Sequence, residues 1–185
     1  LISENKTGDW TDLNVEPLHN LSLHPAAVVF HYGQAIFEGM KAFRRVDGKI
    51  GLFRPEDNAQ RFVDSAKRLL LPPMEIDYFI EAVNKVVSSN LNYVPPQPGS
   101  LYLRPVMIGS EAQIGVRGSK EAIFFLIALP SGSYFKSGSG TSQMIDVFVD
   151  QITARAAHGG TGNVKAPQIM RLRCNPLTVR RKKGD

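Results

Sequence analysis

From Ala122 to Leu129 the chain reads AIFFLIAL, an unbroken apolar run. A run this short, rich in branched and aromatic residues, predicts a buried strand rather than a helix. The 185 residues suffice for one domain, or one domain and a piece of a second, and 43% hydrophobic content suits a globular protein. No apolar stretch approaches the roughly 18 residues of a membrane span. The opening LISENKTGDW is polar and contains Glu4 and Asp9, so it does not read as a signal peptide; a start at Leu1 suggests a short missing leader. The single cysteine, Cys174, argues against a disulfide framework.

The net charge of +5 is local. Residues 171–185 hold six Lys and Arg residues against Asp185 alone, which accounts for all of it, so the remaining chain is neutral. A nucleic-acid-binding reading would rest on that tail only.

Asp47-Gly48 between the apolar runs Gly39–Phe43 and Ile50–Phe53 predicts a hairpin. A helix is expected from Pro55, with Glu56 and Asp57 in its first turn. Ala59, Phe62, Val63, Ala66 and Leu70 would form its apolar face, and Pro72-Pro73 its end. A second helix from about Glu75 would turn Ile76, Phe79, Ile80, Val83 and Val87 inward, and the proline-rich stretch from Tyr93 to Ser100 reads as a loop. Strands are expected at Leu101–Ile108, Ala122–Leu129 and Met144–Val149. Residues 131–142, rich in Gly and Ser, read as a flexible connection. The class is α/β in the broad sense, more narrowly α+β.

Four stretches carry chemistry: HYGQAIFEG at 31–39, NAQRF at 58–62 continuing to Ser65-Ala66, LYLRP at 101–105, and RAAHGGTGNVK at 155–165. On residue type alone each has a plain reading. Lys165 after a Gly-rich loop would be a solvated lysine. The loop lacks the Gly spacing and the Gly-Lys-Ser/Thr of a phosphate-binding P-loop. Arg61 would be a solvated helix residue, Arg155 a strand-end charge and Arg104 a satisfied strand arginine. Tyr32, Phe37, Tyr102 and Tyr134 would be core or surface aromatics.

In their order and residue types the four stretches resemble fold-type IV pyridoxal-phosphate (PLP) enzymes, and most closely the branched-chain aminotransferases, over about residues 15–166. The resemblance implies that Lys165 is the catalytic lysine that forms a Schiff base with PLP. That chemistry needs an amine that can be neutral near pH 7, and burial and neighbouring cations provide it by lowering the amine's pKa. The same amine would carry the proton between substrate and cofactor. Arg61 would pair with the cofactor phosphate, which suits a guanidinium fork, and Arg155 would line the cofactor pocket. Tyr32, Phe37, Tyr102, Arg104 and Tyr134, the last in Pro-x-Gly-x-Tyr, would line the substrate pocket. His31 and Glu38 read as structural. No metal is expected.

The implied activity is ping-pong transfer of the amino group of Leu, Ile or Val to 2-oxoglutarate by a homodimer whose pockets are completed at the interface. It would act on amino acids and 2-oxo acids, with no nucleic-acid or membrane partner, in the cytoplasm or in mitochondria. Within the same fold the alternatives are a D-amino acid aminotransferase and an aminodeoxychorismate lyase. In a different class stands a non-catalytic fragment with a basic tail. The expected organisation is a small domain at 1–135, a linker at 136–143, the first strands of an incomplete large domain at 144–166, and an aberrant, disordered basic tail at 167–185.

The tail departs from the resemblance. After the lysine such enzymes continue with Asn-Tyr-Ala and a large domain that supplies a Glu to the pyridine nitrogen; here PQIMRLRCNPLTVRRKKGD follows. His158 replaces a more usual Pro or Lys. Read from the third base of each codon, residues 168–174 permit Asn-Tyr-Ala-Ala-Ser-Leu, so residues 167–185 are expected to be the product of a frameshift before Pro167, genuine or a sequencing error. A chain so shortened is expected to bind PLP poorly and to transaminate little.

Overall fold

The computed structural model describes residues 1–6, 8–132 and 156–168. Six strands and three α-helices follow in the order β1 (Ile2–Asn5), α1 (Val28–Tyr32), β2 (Ala35–Phe37), β3 (Met40–Arg44), β4 (Ile50–Leu52), α2 (Pro55–Arg68), α3 (Ile76–Ser89), β5 (Ser100–Gly109) and β6 (Ala122–Ser131). The strands form one sheet in the order β1-β6-β5-β3-β4, with β2 also paired to β5, and every pairing is antiparallel. This is the α+β arrangement expected, and the hairpin at Asp47-Gly48 joins β3 to β4.

β5 and β6 pair along their whole lengths, from Ser100 opposite Ser131 to Gly109 opposite Ala122. Period-two alternation then sorts their side chains. Leu101, Leu103 and Met107 with Ala122, Phe124 and Leu126 enter the core beneath α2 and α3, while Val106, Ile108, Ile123 and Phe125 join a smaller cluster with Ala35. The apolar run of β6 is thus covered on both faces at its start, and Ile127 and Leu129 emerge exposed at its end.

α2 and α3 each bury one stripe. Phe62 of α2, Phe79 of α3 and Phe124 of β6 meet as a triangle, with ring centroids 5.1, 5.7 and 6.2 Å apart. All three are fully buried, and each such side chain contributes about 1.5–3 kcal/mol by removal from water. α2 ends sooner than its sequence suggests. Its last residue is Arg68, and Leu70, expected on the apolar face, instead takes a left-handed φ of 54° and is exposed. The carbonyls of Leu69 and Leu70 are held by the Gln34 amide, which closes the helix before Pro72.

The segment 156–168 returns to this core. Val164 and Ala166 are buried in the same cluster as Phe62 and Phe124. The connection expected from residue 131 begins later, because Ser131 still pairs with Ser100 at the end of β6. The rest of that connection from residue 133, the strand expected at Met144–Val149 and nearly all of the 167–185 tail lie outside the described residues.

Candidate active site

β2 and β3 read as one strand along β5 with a break at Glu38-Gly39. Phe37 is opposite Val106 and Met40 opposite Leu103, so Arg104 and Pro105 face the break. Pro105 has no N–H to give to the ladder, and the pairing is reduced there to a bond from the Glu38 N–H to the Pro105 carbonyl, 2.8 Å. Alternation then assigns the side chains. Ile36, Met40 and Ala42 lie in the helix-covered core, Glu38 enters on that same side, and Phe37 and Gly39 go to the other.

On the helix side α2 meets Glu38 with polar residues. Asn58, Arg61 and Ser65 stand three and four positions apart, so they share one edge of the helix, beside the apolar stripe of Ala59, Phe62 and Ala66. Glu38 has no solvent exposure, and its Oε1 accepts from Arg61 Nε at 2.6 Å. Its Oε2 accepts from Arg61 Nη2 at 2.8 Å, from Asn58 Nδ2 at 2.8 Å and from the Gly39 N–H at 3.2 Å. Burial alone would push this carboxyl up; the hydrogen bonds from Arg61 and then Asn58, with the charges of Lys165 and Arg61, hold it below its ordinary value.

Lys165 reaches the same place from the far end of the chain. Its carbonyl accepts from the Phe37 N–H at 3.0 Å, and its own N–H is 3.3 Å from Ser65 Oγ. Anchored between β2 and α2, its Nζ lies 3.8 Å from Glu38 Oε2 and 5.6 Å from the centroid of the Phe37 ring. Desolvation lowers the pKa of this amine; Glu38 opposes the shift, and Arg61 and Arg104 reinforce it. The loop before it folds on two turn hydrogen bonds, Gly160 N–H to Ala157 and Val164 N–H to Thr161, with Gly159 at a left-handed φ of 72°.

On the open side of the sheet, Arg104 and Tyr102 share a face of β5. The Arg104 guanidinium donates to the Tyr102 hydroxyl at 2.7 and 3.1 Å and lies 4.8 Å from the centroid of the Phe37 ring. Gly39 makes room for this pair, since a Cβ there would come 2.5 Å from the Tyr102 hydroxyl oxygen.

The structure therefore brings Lys165, Arg61, Phe37, Tyr102 and Arg104 around one break in the sheet. Tyr32 is elsewhere. It lies beyond the other end of β2, where its hydroxyl donates to the Ile114 carbonyl at 2.7 Å. Arg155 and Tyr134 lie outside the described residues. Among the described residues the His31 ring bonds only a nearby loop carbonyl, that of Pro25. Glu38 is the residue most undervalued by sequence reasoning, because it joins two of the candidate cations. The polar edge Asn58–Arg61–Ser65 was the signal that a buried acceptor would face α2.

Lys165 and Arg61 adjoin one carboxylate, Arg104 stands on the other face of the same break, and the amine of Lys165 has a lowered pKa. That donor set suits a ligand with an anionic group and a carbonyl carbon, and it fits an aldehyde that carries a phosphate.

No protein-family model matches the chain. It is 44% identical over 158 residues to a probable branched-chain-amino-acid aminotransferase of Streptomyces coelicolor, which covers 84% of this chain and 43% of that protein. It is 38% identical over 157 residues to branched-chain-amino-acid transaminase 1 of Bacillus subtilis, covering 84% and 44%. Among solved structures it resembles the branched-chain aminotransferase of Thermoproteus uzoniensis, with a TM-score of 0.67 at 24% identity over 88% of this chain and 52% of that one. It also resembles the Escherichia coli enzyme, with a TM-score of 0.54 at 26% identity over 72% and 40%. The chain spans less than half the length of these curated relatives.

Proposed function

We propose that this chain, homologous over most of its length to branched-chain-amino-acid aminotransferases, forms the small-domain half of a PLP-dependent transaminase site. The observation that carries the reading is the approach of Lys165, Arg61 and Arg104 from three separate elements to one break in the sheet, with the pKa of Lys165 lowered. The relatives named above are aminotransferases, and one structure of similar fold holds pyridoxamine 5'-phosphate.

PLP, when bound, supplies the carbonyl that captures an amino group and the electron sink that loosens a Cα–H bond. Lys165 is the residue to hold it covalently, through Nζ, and to move a proton once released. Arg61, half exposed beside Lys165, would take the phosphate. Phe37, Tyr102 and Arg104 form a wall with an apolar ring and a cation, suited to an amino acid with an apolar side chain and to a 2-oxo acid with a second carboxylate. Leu, Ile and Val with 2-oxoglutarate are the substrates of this reading. Arg155 and Tyr134 are assigned to the cofactor and substrate pockets by resemblance alone. Tyr32 is 43% exposed and Ile114 66% exposed, which leaves Tyr32 accessible to a second copy, and its place in a pocket across the interface of a homodimer belongs to this reading. The boundaries at residues 135 and 143 and a cytoplasmic location belong to the same reading. Among the described residues no helix is long and apolar enough to cross a membrane.

The test is to add PLP, reduce with borohydride and map the modified peptides. Selective modification of Lys165 over the exposed Lys6 and Lys85 supports the reading; uniform labelling sinks it. The 185-residue chain is expected to transaminate little, so a panel of Leu, Ile, Val and D-alanine as amino donors, run on the protein with its reading frame restored before Pro167, separates this activity from a D-amino acid aminotransferase.

A further inference from the structure

Glu38 neither attaches a cofactor nor faces the substrate wall, yet its fully buried carboxylate joins the two cations that do the work. It takes two hydrogen bonds from Arg61, one from Asn58 and one from the Gly39 N–H, and lies 3.8 Å from Lys165 Nζ. We propose that Glu38 is a positioning residue that aims the Arg61 guanidinium at an incoming phosphate and, through the same carboxylate, sets the charge on Lys165, so that an anion arriving at Arg61 is felt at the amine. The inference rests on the reading of Arg61 and Lys165 as the phosphate and carbonyl sites.

Geometry supports the first half. The paired bonds from Arg61 use Nε and Nη2, one edge of the planar fork. Among the described residues the other nitrogen, Nη1, has no acceptor, and the pairing directs it away from Glu38. The Arg61 side chain is half exposed, and without the carboxylate it would sample many rotamers that an anion would have to order. Asn58 and the Gly39 N–H fix the carboxylate itself, so the orientation passes from the backbone to the guanidinium.

Electrostatics supports the second half. Among the described residues, the charged groups that face Lys165 Nζ are Glu38 from the β2–β3 break, Arg61 from α2 and Arg104 from β5. Glu38 is the only anion among them. It keeps the amine from falling further under the influence of two cations and its own desolvation. A phosphate on Arg61 adds negative charge within reach of the same amine and favours its protonated form.

A bystander carboxylate would behave in the opposite way towards anions. Removing a negative charge beside an anion site strengthens anion binding, whereas removing the group that aims the guanidinium weakens it. The sign of the effect therefore separates the two roles.

The experiment is competitive acylation of the purified 185-residue chain with acetic anhydride, read lysine by lysine by peptide mass spectrometry, with and without inorganic phosphate. Lys165 in Glu38→Gln should acylate about three- to tenfold faster at mildly alkaline pH, since each unit of pKa lowering raises the neutral fraction about tenfold. Phosphate should slow acylation of Lys165 in the parent chain, and at least about tenfold more phosphate should be needed in Glu38→Gln, where the paired guanidinium geometry is lost. Unchanged reactivity of Lys165 in the variant, or a phosphate requirement that stays the same or falls, overturns the proposal. If Glu38→Gln does not fold by circular dichroism, Arg61→Gln is read instead. Loss of that cation should slow Lys165 and abolish the phosphate effect, and no change in either overturns the proposal. The absence of any phosphate effect in the parent chain does so without a variant. No PLP is used, so a chain that passes here but shows no selective borohydride trapping at Lys165 would refute the cofactor reading and leave the Glu38 coupling standing.

Discussion

The Nζ of Lys165 stands 3.8 Å from the Oε2 of Glu38, although they are 127 positions apart in the chain and Glu38 has no solvent exposure. The lysine is one-third exposed, and desolvation with two nearby guanidinium groups outweighs the single carboxylate, so its pKa falls below the ordinary 10.5. A lysine lowered in the folded state gives up its proton before the unfolded chain does. Stability should therefore rise with pH between the folded value and 10.5. Replacing Lys165 by Met should remove that rise, and urea denaturation at a series of alkaline pH values would detect it. An identical slope in the variant contradicts the assignment.

Glu38 gives the opposite end of the pH range. Its folded pKa is below the ordinary 4.5, so its contribution is present above 4.5 and is lost as pH falls through the folded value. Glu38→Gln should flatten the acid limb of the stability curve. Acid titration followed by circular dichroism checks this, and an unaltered midpoint and slope would count against it.

Arg61→Gln withdraws two of the hydrogen bonds to a buried carboxylate. Asn58 and the Gly39 N–H remain, and Arg61 itself is half exposed. The expected cost is therefore a modest part of the roughly 1–3 kcal/mol for an abandoned buried acceptor. Glu38→Gln combined with Arg61→Gln should recover some of it, because no charge is then left buried. Additive losses in a double-mutant cycle would mean the two side chains are not coupled.

Gly39→Ala places a methyl group against the Tyr102 hydroxyl. Tyr102 must shift, and with it the two hydrogen bonds from Arg104. A loss of about 1–3 kcal/mol is expected from overpacking, and adding Tyr102→Phe, which removes the hydroxyl, should relieve part of it. Equal stability of Gly39→Ala and the parent would show that the ring has room to move.

Phe124→Ala opens the centre of the aromatic triangle and should cost about 3–5 kcal/mol in a denaturant titration. Ile127→Ala, at the exposed end of the same strand, should cost far less. Similar losses at both positions would be incompatible with β6 being buried at its start and open at its end.

The element pattern was legible in the amino acids because it is local. Pro55 with two acids opens α2, Asp47-Gly48 closes a hairpin, and the spacing of Phe62, Phe79 and Val83 marks the faces that meet the sheet. Where local signals conflict, tertiary contacts decide. Leu70 continues the apolar period of α2, yet the Gln34 amide takes the carbonyls of Leu69 and Leu70, and the chain turns outward there.

The candidate site divides along the same line. The sequence by itself nominated the candidate side chains through the resemblance of its four stretches: a lysine after a glycine-rich loop, an arginine on the first long helix, and a tyrosine and an arginine two residues apart on a strand; residue type alone left each with a plain reading. Only the tertiary structure decided that Glu38 stands between Lys165 and Arg61 and that Tyr32 stands apart from both. The physical reason lies in Pro105. Without an N–H it cannot complete the ladder opposite Glu38, so the sheet opens at that point, and strand alternation directs Glu38 toward α2 and Phe37 toward Arg104. Which residues meet across such a break depends on the register between strands far apart in the chain.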